Sequence, residues 1–239
     1  MATLPCNAQL FKDYFYKDKW TWDPSNRSED VVLSTDNTEA YFFIDAIKGS
    51  TGTAGVRGTQ GFSEGEYYWE VKFLEAACGN SIMIGVGTAS ATLHMGNGKY
   101  VDLLGQDVNS WGLSFRGTVH HNGQSRKYCD PFFSSGTVIG VYLNLYTGIL
   151  SFYKNSEHLG MAFTNLNNVK KPLYPMISAN TPESELGLVA SYHHYLSLEQ
   201  KCFWTVHDCL SNAKDVDSLM LPNVMKNNLR EMWQYCPNL

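Results

Sequence analysis

Few stretches of this chain carry residue types that could do chemistry. Gly85-x-Gly87 opens like a dinucleotide-binding turn, but the sixth position is Ser90 and no helical pattern follows, so glycines packed within a sheet are expected. Gly96-Asn97-Gly98-Lys99 has the glycine and lysine of a phosphate loop. It lacks the first glycine at its proper spacing, and Tyr100 stands where a metal-binding hydroxyl would follow the lysine. His120-His121 and His193-His194 are tandem pairs; neighbours on a strand point to opposite faces, so neither pair is expected to share a metal. No G-x-S-x-G elbow and no H-E-x-x-H helix occurs, and the carboxylates are scattered through turns. Cys6, Cys78, Cys129, Cys202, Cys209 and Cys236 form no C-x-x-C pair, so no zinc set is expected. With no catalytic constellation, cofactor or metal indicated, the chemistry that remains is binding.

Two stretches could bind. Residues 89–109 are irregular and set Tyr100, Leu103 and Leu104 among glycines. They read either as a loop tacked down by three apolar side chains or as a shallow, aromatic-walled groove for a peptide. In the tail, Leu198, Cys202 and Val206 recur every four residues, and Cys209 and Leu210 continue the stripe. That predicts a helix with Ser197 as its cap. Phe203 and Trp204 lie off the stripe, so the helix is apolar on more than one face, as expected of one that meets both its own domain and a partner. A second apolar set at Val216, Leu219 and Met220 is stopped by Pro222, and a third follows at Met225, Leu229, Met232 and Trp233. Helices this small build no large core of their own.

The elements that position these stretches are strands. In residues 137–155, Val141, Leu143 and Leu145 alternate with Tyr142, Asn144 and Tyr146; Thr147-Gly148 turns the chain and residues 149–153 resume it. This predicts a β-hairpin whose second strand, apolar on both faces, is covered on both sides. Tyr67, Trp69, Val71 and Phe73 alternate with Glu70 and Lys72 in a half-buried strand, and residues 81–87 return it. Residues 111–115, 159–163, 173–178 and 186–192 add further strands, while residues 48–55 read as a loop. About ten strand candidates with regular turn signals indicate an antiparallel β-sandwich. Residues 1–19 read as a leader crossing its surface, 20–192 as the sandwich and 193–239 as a small helical domain.

Composition sets the surroundings. A net charge of −5 over 239 residues gives no reason to expect nucleic acid or an anionic membrane as partner, and no apolar run reaches a bilayer-spanning length. The first residues, MATLPCNAQLFKDYF, lack a basic region followed by an apolar core. The expectation is a reducing compartment, cytoplasmic or nuclear, with free thiols and an unused glycosylation sequon at Asn26-Arg27-Ser28.

GEYYWEV (65–71), MIGVGT (83–88), SWGLSF (110–115), IGVYLNLYTGILSFYKN (139–155), LGMAF (159–163) and LYPMIS (173–178) together resemble the SPRY domain, in order and spacing. The tail resembles a SOCS box. Ser197-Leu198-x-x-x-Cys202-x-x-x-Val206 matches its elongin-binding box, and Leu219-Met220-Leu221-Pro222 resembles its Leu-Pro-Leu-Pro cullin-5 box, with Met220 where a proline is usual. The chain is thus similar to the SPRY-domain and SOCS-box protein family, most of all to its divergent third member. The resemblance implies a non-catalytic substrate adaptor of a cullin-RING ubiquitin ligase, recruiting elongin C with elongin B through Ser197, Leu198, Cys202 and Val206, and a cullin-5 type scaffold through Leu219, Leu221 and Pro222. It further implies that the SPRY domain captures targets by a short Asn-containing peptide for ubiquitination and proteasomal degradation. The family's pocket maps onto Gly79, Tyr100 and Leu103, and onto Asn180 and Thr181, where the usual Val-Trp-Gly is replaced by Asn180-Thr181-Pro182. The family's Arg-x-Pro-x-Ala segment has no match near residues 46–50. The alternative is a SPRY interaction module without ligase recruitment.

Overall fold

The computed structural model describes residues 8–42, 52–77, 79–96, 98–180 and 184–235. A short helix α1 (Gln9–Tyr14) opens the chain, followed by β1 (Tyr16–Lys17), β2 (Trp22–Arg27), β3 (Val31–Leu33), β4 (Glu39–Phe42) and β5 (Thr53–Gly58). Then come β6 (Glu66–Phe73), β7 (Ile82–Thr88), β8 (His94–Met95), β9 (Ser110–Ser114), β10 (Thr118–His121) and β11 (Gln124–Lys127). The remaining strands are β12 (Val138–Asn144), β13 (Ile149–Lys154), β14 (Glu157–Phe163), β15 (Leu173–Ala179) and β16 (Ser184–His194). Helices α2 (Leu198–Asp208) and α3 (Asn223–Tyr235) close the described chain.

Among the described residues the strands form two antiparallel sheets. One runs β14-β13-β12-β6-β16-β4-β3, with β1 beside β16; the other runs β11-β10-β9-β7-β15-β5-β2, with β8 beside β5. Alternation decides what each strand buries. Tyr67, Trp69, Val71 and Phe73 of β6 and Val141 and Leu143 of β12 share one apolar core with Ile82, Ile84 and Val86 of β7 and Leu113 of β9. This is the expected sandwich. The predicted hairpin is β12–β13, in register from Ile139 opposite Lys154 to Asn144 opposite Ile149. Its turn is held by Asn144, whose Oδ1 accepts from the N–H groups of Tyr146 (2.9 Å) and Thr147 (3.0 Å), while its Nδ2 donates to Glu66 Oε1 (2.5 Å). The open side of the sandwich is tied across: Arg126 and Tyr128 hydrogen-bond the Ala162 and Gly160 carbonyls of edge strand β14. An edge whose acceptors are already taken offers less to a passing strand.

The outer faces are covered as well, which explains apolar residues on both sides of the central strands. Residues 9–14 are not a bare leader. Phe11, 2% exposed, stacks on Tyr68 (4.5 Å between ring centroids) and Tyr142 (4.8 Å) and meets Tyr153 edge-on (5.5 Å). Lys12 pairs with the buried carboxylate of Glu70 at 2.9 Å, which also accepts from the Tyr68 hydroxyl. Burial, with Glu66 beside it, holds the Tyr142 hydroxyl well above its ordinary pKa.

The outer face of the second sheet is covered by the irregular stretch. Leu104 forms a small cluster there with Met83, Met176 and Ala91. Gly112 makes the room: a Cβ on it would lie 2.6 Å from Leu104 Cβ, too close for any side chain. Two expectations fail here. The supposed loop over residues 48–55 already contains the start of β5, whose small residues Thr53, Ala54 and Gly55 are all buried between β15 and the covering stretch. The stretch 89–109 is itself interrupted by β8, which pairs with β5 at Thr53 opposite Met95. Ala54 and Gly55 carry little β-propensity, so their burial, not their residue type, reveals them as strand. The single-strand tally of about ten is likewise too low, because short edge pieces such as β1, β8 and β11 carry no apolar alternation of their own.

Residues 6–194 form one compact unit and residues 195–239 belong to a second. In the tail, α2 starts on a reciprocal capping box: Gln200 N–H donates to Ser197 Oγ (3.2 Å) and Ser197 N–H to Gln200 Oε1 (2.7 Å). The second apolar set is not an α-helix. It forms a 3-10 turn, Ala213–Ser218, capped by Asn212 and Asp215, and Leu219 beyond it is extended. Proline at 222 disfavours helix in the residue before it, so the chain restarts only at α3. The 3-10 turn and α2 both contact α3, and Val216 and Leu229 are fully buried. Arg230 pairs with Asp217, and Lys226 Nζ donates to the Asp217 carbonyl at 3.0 Å.

Candidate functional site

Three segments meet at one end of the second sheet: residues 79–81 leading into β7, residues 100–104 of the covering loop, and Asn180 leaving β15. Strand register brings the first and last together, since Ala179 pairs with Ile82. One residue further out, Ser81 N–H donates to Asn180 Oδ1 (2.7 Å) and Asn180 N–H to the Ser81 carbonyl (3.0 Å). The loop joins through Asp102, whose Oδ1 accepts from Ser81 Oγ at 2.5 Å. Thr53 binds the same loop twice: its hydroxyl donates to the Val101 carbonyl (2.8 Å) and accepts from Val101 N–H (3.1 Å). Gln106 Nε2 donates to the Asp102 carbonyl (2.7 Å). On the other side, Asp102 Oδ2 lies 3.8 Å from His120 Nε2, which Thr118 Oγ1 approaches to 2.8 Å. Burial lowers the His120 pKa against the opposing pull of Asp102.

This arrangement sorts the residues predicted from sequence. Gly79, in the left-handed region at φ +78°, and Tyr100, 41% exposed, reach solvent. Leu103 and Asn180 do not: at 2% and 5% exposed they support the site from beneath instead of walling it, because Leu103 fills the space above Gly55 and Asn180 holds Ser81. Thr181 lies outside the described residues, as do residues 46–50. Thr53, Ser81, Asp102 and His120 were not foreseen. Their bonds span 48, 21 and 18 positions of sequence, and no periodic pattern marks such pairs.

Other chemistry-bearing residues have local roles. Ser28 Oγ lies 3.0 Å from His94 Nδ1, and Asp30 Oδ2 lies 3.7 Å from the same nitrogen, so hydroxyl and acid compete for one ring atom and make no proton relay. The tandem histidines separate: His120 faces Asp102, whereas His121 stacks on Trp111 at 4.4 Å; His193 faces Asp18, whereas His194 faces Glu66. A cleft of about 650 Å³ lies beside that Trp111–His121 stack, bordered by Arg126, Met161 and Phe163. No group of three or more His, Cys, Asp or Glu among the described residues is placed to hold a metal, and no described helix is long and apolar enough to cross a membrane.

In the tail, Leu198 is 79% exposed and Cys202 is exposed, with Val206 half-buried on the same stripe. Ser197 is engaged as the helix cap. Leu219 and Leu221 are half-buried, while Pro222 and Met220 are exposed.

Residues 66–190 match the SPRY domain. This chain belongs to the SPRY domain family. It is 34% identical over 225 residues to SPRY domain-containing SOCS box protein 3 of Xenopus tropicalis, covering 94% of this chain and 60% of that protein. The chain therefore spans about three-fifths of that relative's length. F-box/SPRY domain-containing protein 1 of Drosophila melanogaster is 33% identical over 195 residues, 79% of this chain and 71% of that one. Among solved structures, the TRIM65 PSpry domain superposes with a TM-score of 0.60 at 24% identity, covering 79% of this chain and 97% of that one, which shows the shared fold. The resemblance read from sequence, to SPRY-domain and SOCS-box proteins and to their third member, is the one these matches return. The SOCS box relative's match also enters the tail: 94% coverage leaves fewer residues unmatched than residues 195–239 contain.

Proposed function

We propose that this SPRY protein is a non-catalytic substrate adaptor of an elongin B/C–cullin-RING ubiquitin ligase. The SPRY sandwich holds a target through a short Asn-containing peptide at the Gly79–Tyr100 site, and helix α2 docks on elongin C through Leu198, Cys202 and Val206. Leu219, Leu221 and Pro222 meet a cullin-5 type scaffold. The adaptor contributes proximity: holding target and conjugating machinery on one assembly raises the effective concentration of target lysines, and ubiquitination then commits the target to the proteasome.

The observation that carries this reading is the exposed Leu198–Cys202–Val206 stripe on a helix with its own capping box. A large apolar residue left in water at the start of a well-capped helix fits a partner's groove better than a structural role. The match of the tail to a protein named for its SOCS box supports the same reading. Exposed Tyr100 on a pinned loop supports the peptide site, since an aromatic anchor on rigid backbone binds at low entropic cost. Co-expression with elongins B and C tests the proposal: the three chains should co-elute as one complex. Elution of the chain alone, folded and monomeric, would leave an interaction module without ligase recruitment.

A further inference from the structure

We infer that Ser81 and Asp102 are positioning residues that hold the Tyr100 loop in its binding geometry. The inference deepens the proposed peptide site and rests on that reading only for its link to capture. Ser81 is 1% exposed and is bonded to both other segments of the site. Its N–H and carbonyl engage Asn180, and its hydroxyl engages Asp102 at 2.5 Å. An O–H···carboxylate bond of that length is of the charge-assisted class, stronger than a neutral one. Because Ser81 is fixed by β7 and β15, Asp102 is fixed through it, and Tyr100 stands two residues from Asp102.

The two functional groups can be cut separately from the fold. Ser81→Ala removes the hydroxyl and keeps both backbone-linked bonds to Asn180. Asp102→Ala removes the acceptor. Asp102→Asn keeps an oxygen in its place and serves as the conservative rescue.

Hydrogen exchange of residues 100–104 reads loop position without any ligand. A synthetic peptide containing consecutive asparagines, titrated against the chain in complex with elongins B and C, reads capture. Ser81→Ala and Asp102→Ala are each expected to speed exchange of the Val101 amide about tenfold and to weaken peptide capture by a similar factor. The double variant is expected to be no worse than either single one, because both cut the same bond. Asp102→Asn, which keeps an acceptor without the charge, is expected to fall between the parent and Asp102→Ala in both measurements, and the melting temperature is expected to change little throughout. Unchanged exchange at residues 100–104 in folded single variants, or effects that add in the double variant, overturns the inference. Faster exchange with unchanged capture supports the latch and removes the loop from the peptide site, so the two readings fail separately.

Discussion

Replacing Leu198 by Asp tests the proposed recruitment separately from folding. Leu198 is the first residue of α2 and is 79% exposed, so its side chain contributes little to the folded chain. A carboxylate in the first turn of a helix is favoured by the helix dipole, worth about 0.3–1 kcal/mol. The variant helix should therefore be as stable as the parent or slightly more so. At an apolar interface the balance reverses. Losing a buried leucine costs about 1.5–3 kcal/mol, and an unpaired polar group in its place costs about 1–3 kcal/mol more. Together these predict at least a ~60-fold loss of affinity for elongin B/C. Titration calorimetry against purified elongin B/C measures the loss, and far-ultraviolet circular dichroism checks that helicity is retained. Unchanged affinity in a variant of parental helicity would refute the assignment of this stripe as the contact.

Three further changes test other parts of the structure. Tyr100→Ala should weaken capture of an asparagine-containing peptide about tenfold while leaving the melting temperature in place, since its ring is partly in water; unchanged affinity removes Tyr100 from the site. Phe11→Ala should destabilise the sandwich by about 3 kcal/mol in urea unfolding, because the ring is buried on three tyrosines; a loss under about 1 kcal/mol would mean that α1 is not packed as described. His120 has a folded-state pKa below its unfolded value, so the unfolded chain binds more protons in between. Its contribution to stability should be complete above the unfolded imidazole pKa of about 6.5 and decline as pH falls toward the folded value. His120→Gln should flatten that part of the profile, with His158, also lowered by burial, supplying the remainder; an unaltered profile counts against a half-buried, neutral His120.

The hairpin β12–β13, the strand β6 and the helix α2 were legible because their signals are local. Period-two alternation, a glycine at a turn and a serine just before a four-residue apolar stripe each act within a few residues of chain. Local signals also carried the resemblance, and with it the proposed partners. What they left undecided was how far each residue lies from water. Tyr100, Leu103 and Leu104 are alike in sequence, yet the loop buries both leucines over glycine-bearing strands and leaves the tyrosine out. Phe11 belongs to what reads as a leader and becomes a core residue only because three tyrosines from β6, β12 and β13 assemble beneath it. Ser81 joins Asp102 and Asn180 across 21 and 99 positions, a meeting set by strand register and not by anything in their neighbourhoods. The pattern of apolar residues thus specified the central strands and where helix α2 begins. Closure of two sheets against each other, and of helix and loop onto their outer faces, decided which side chains remain available to bind.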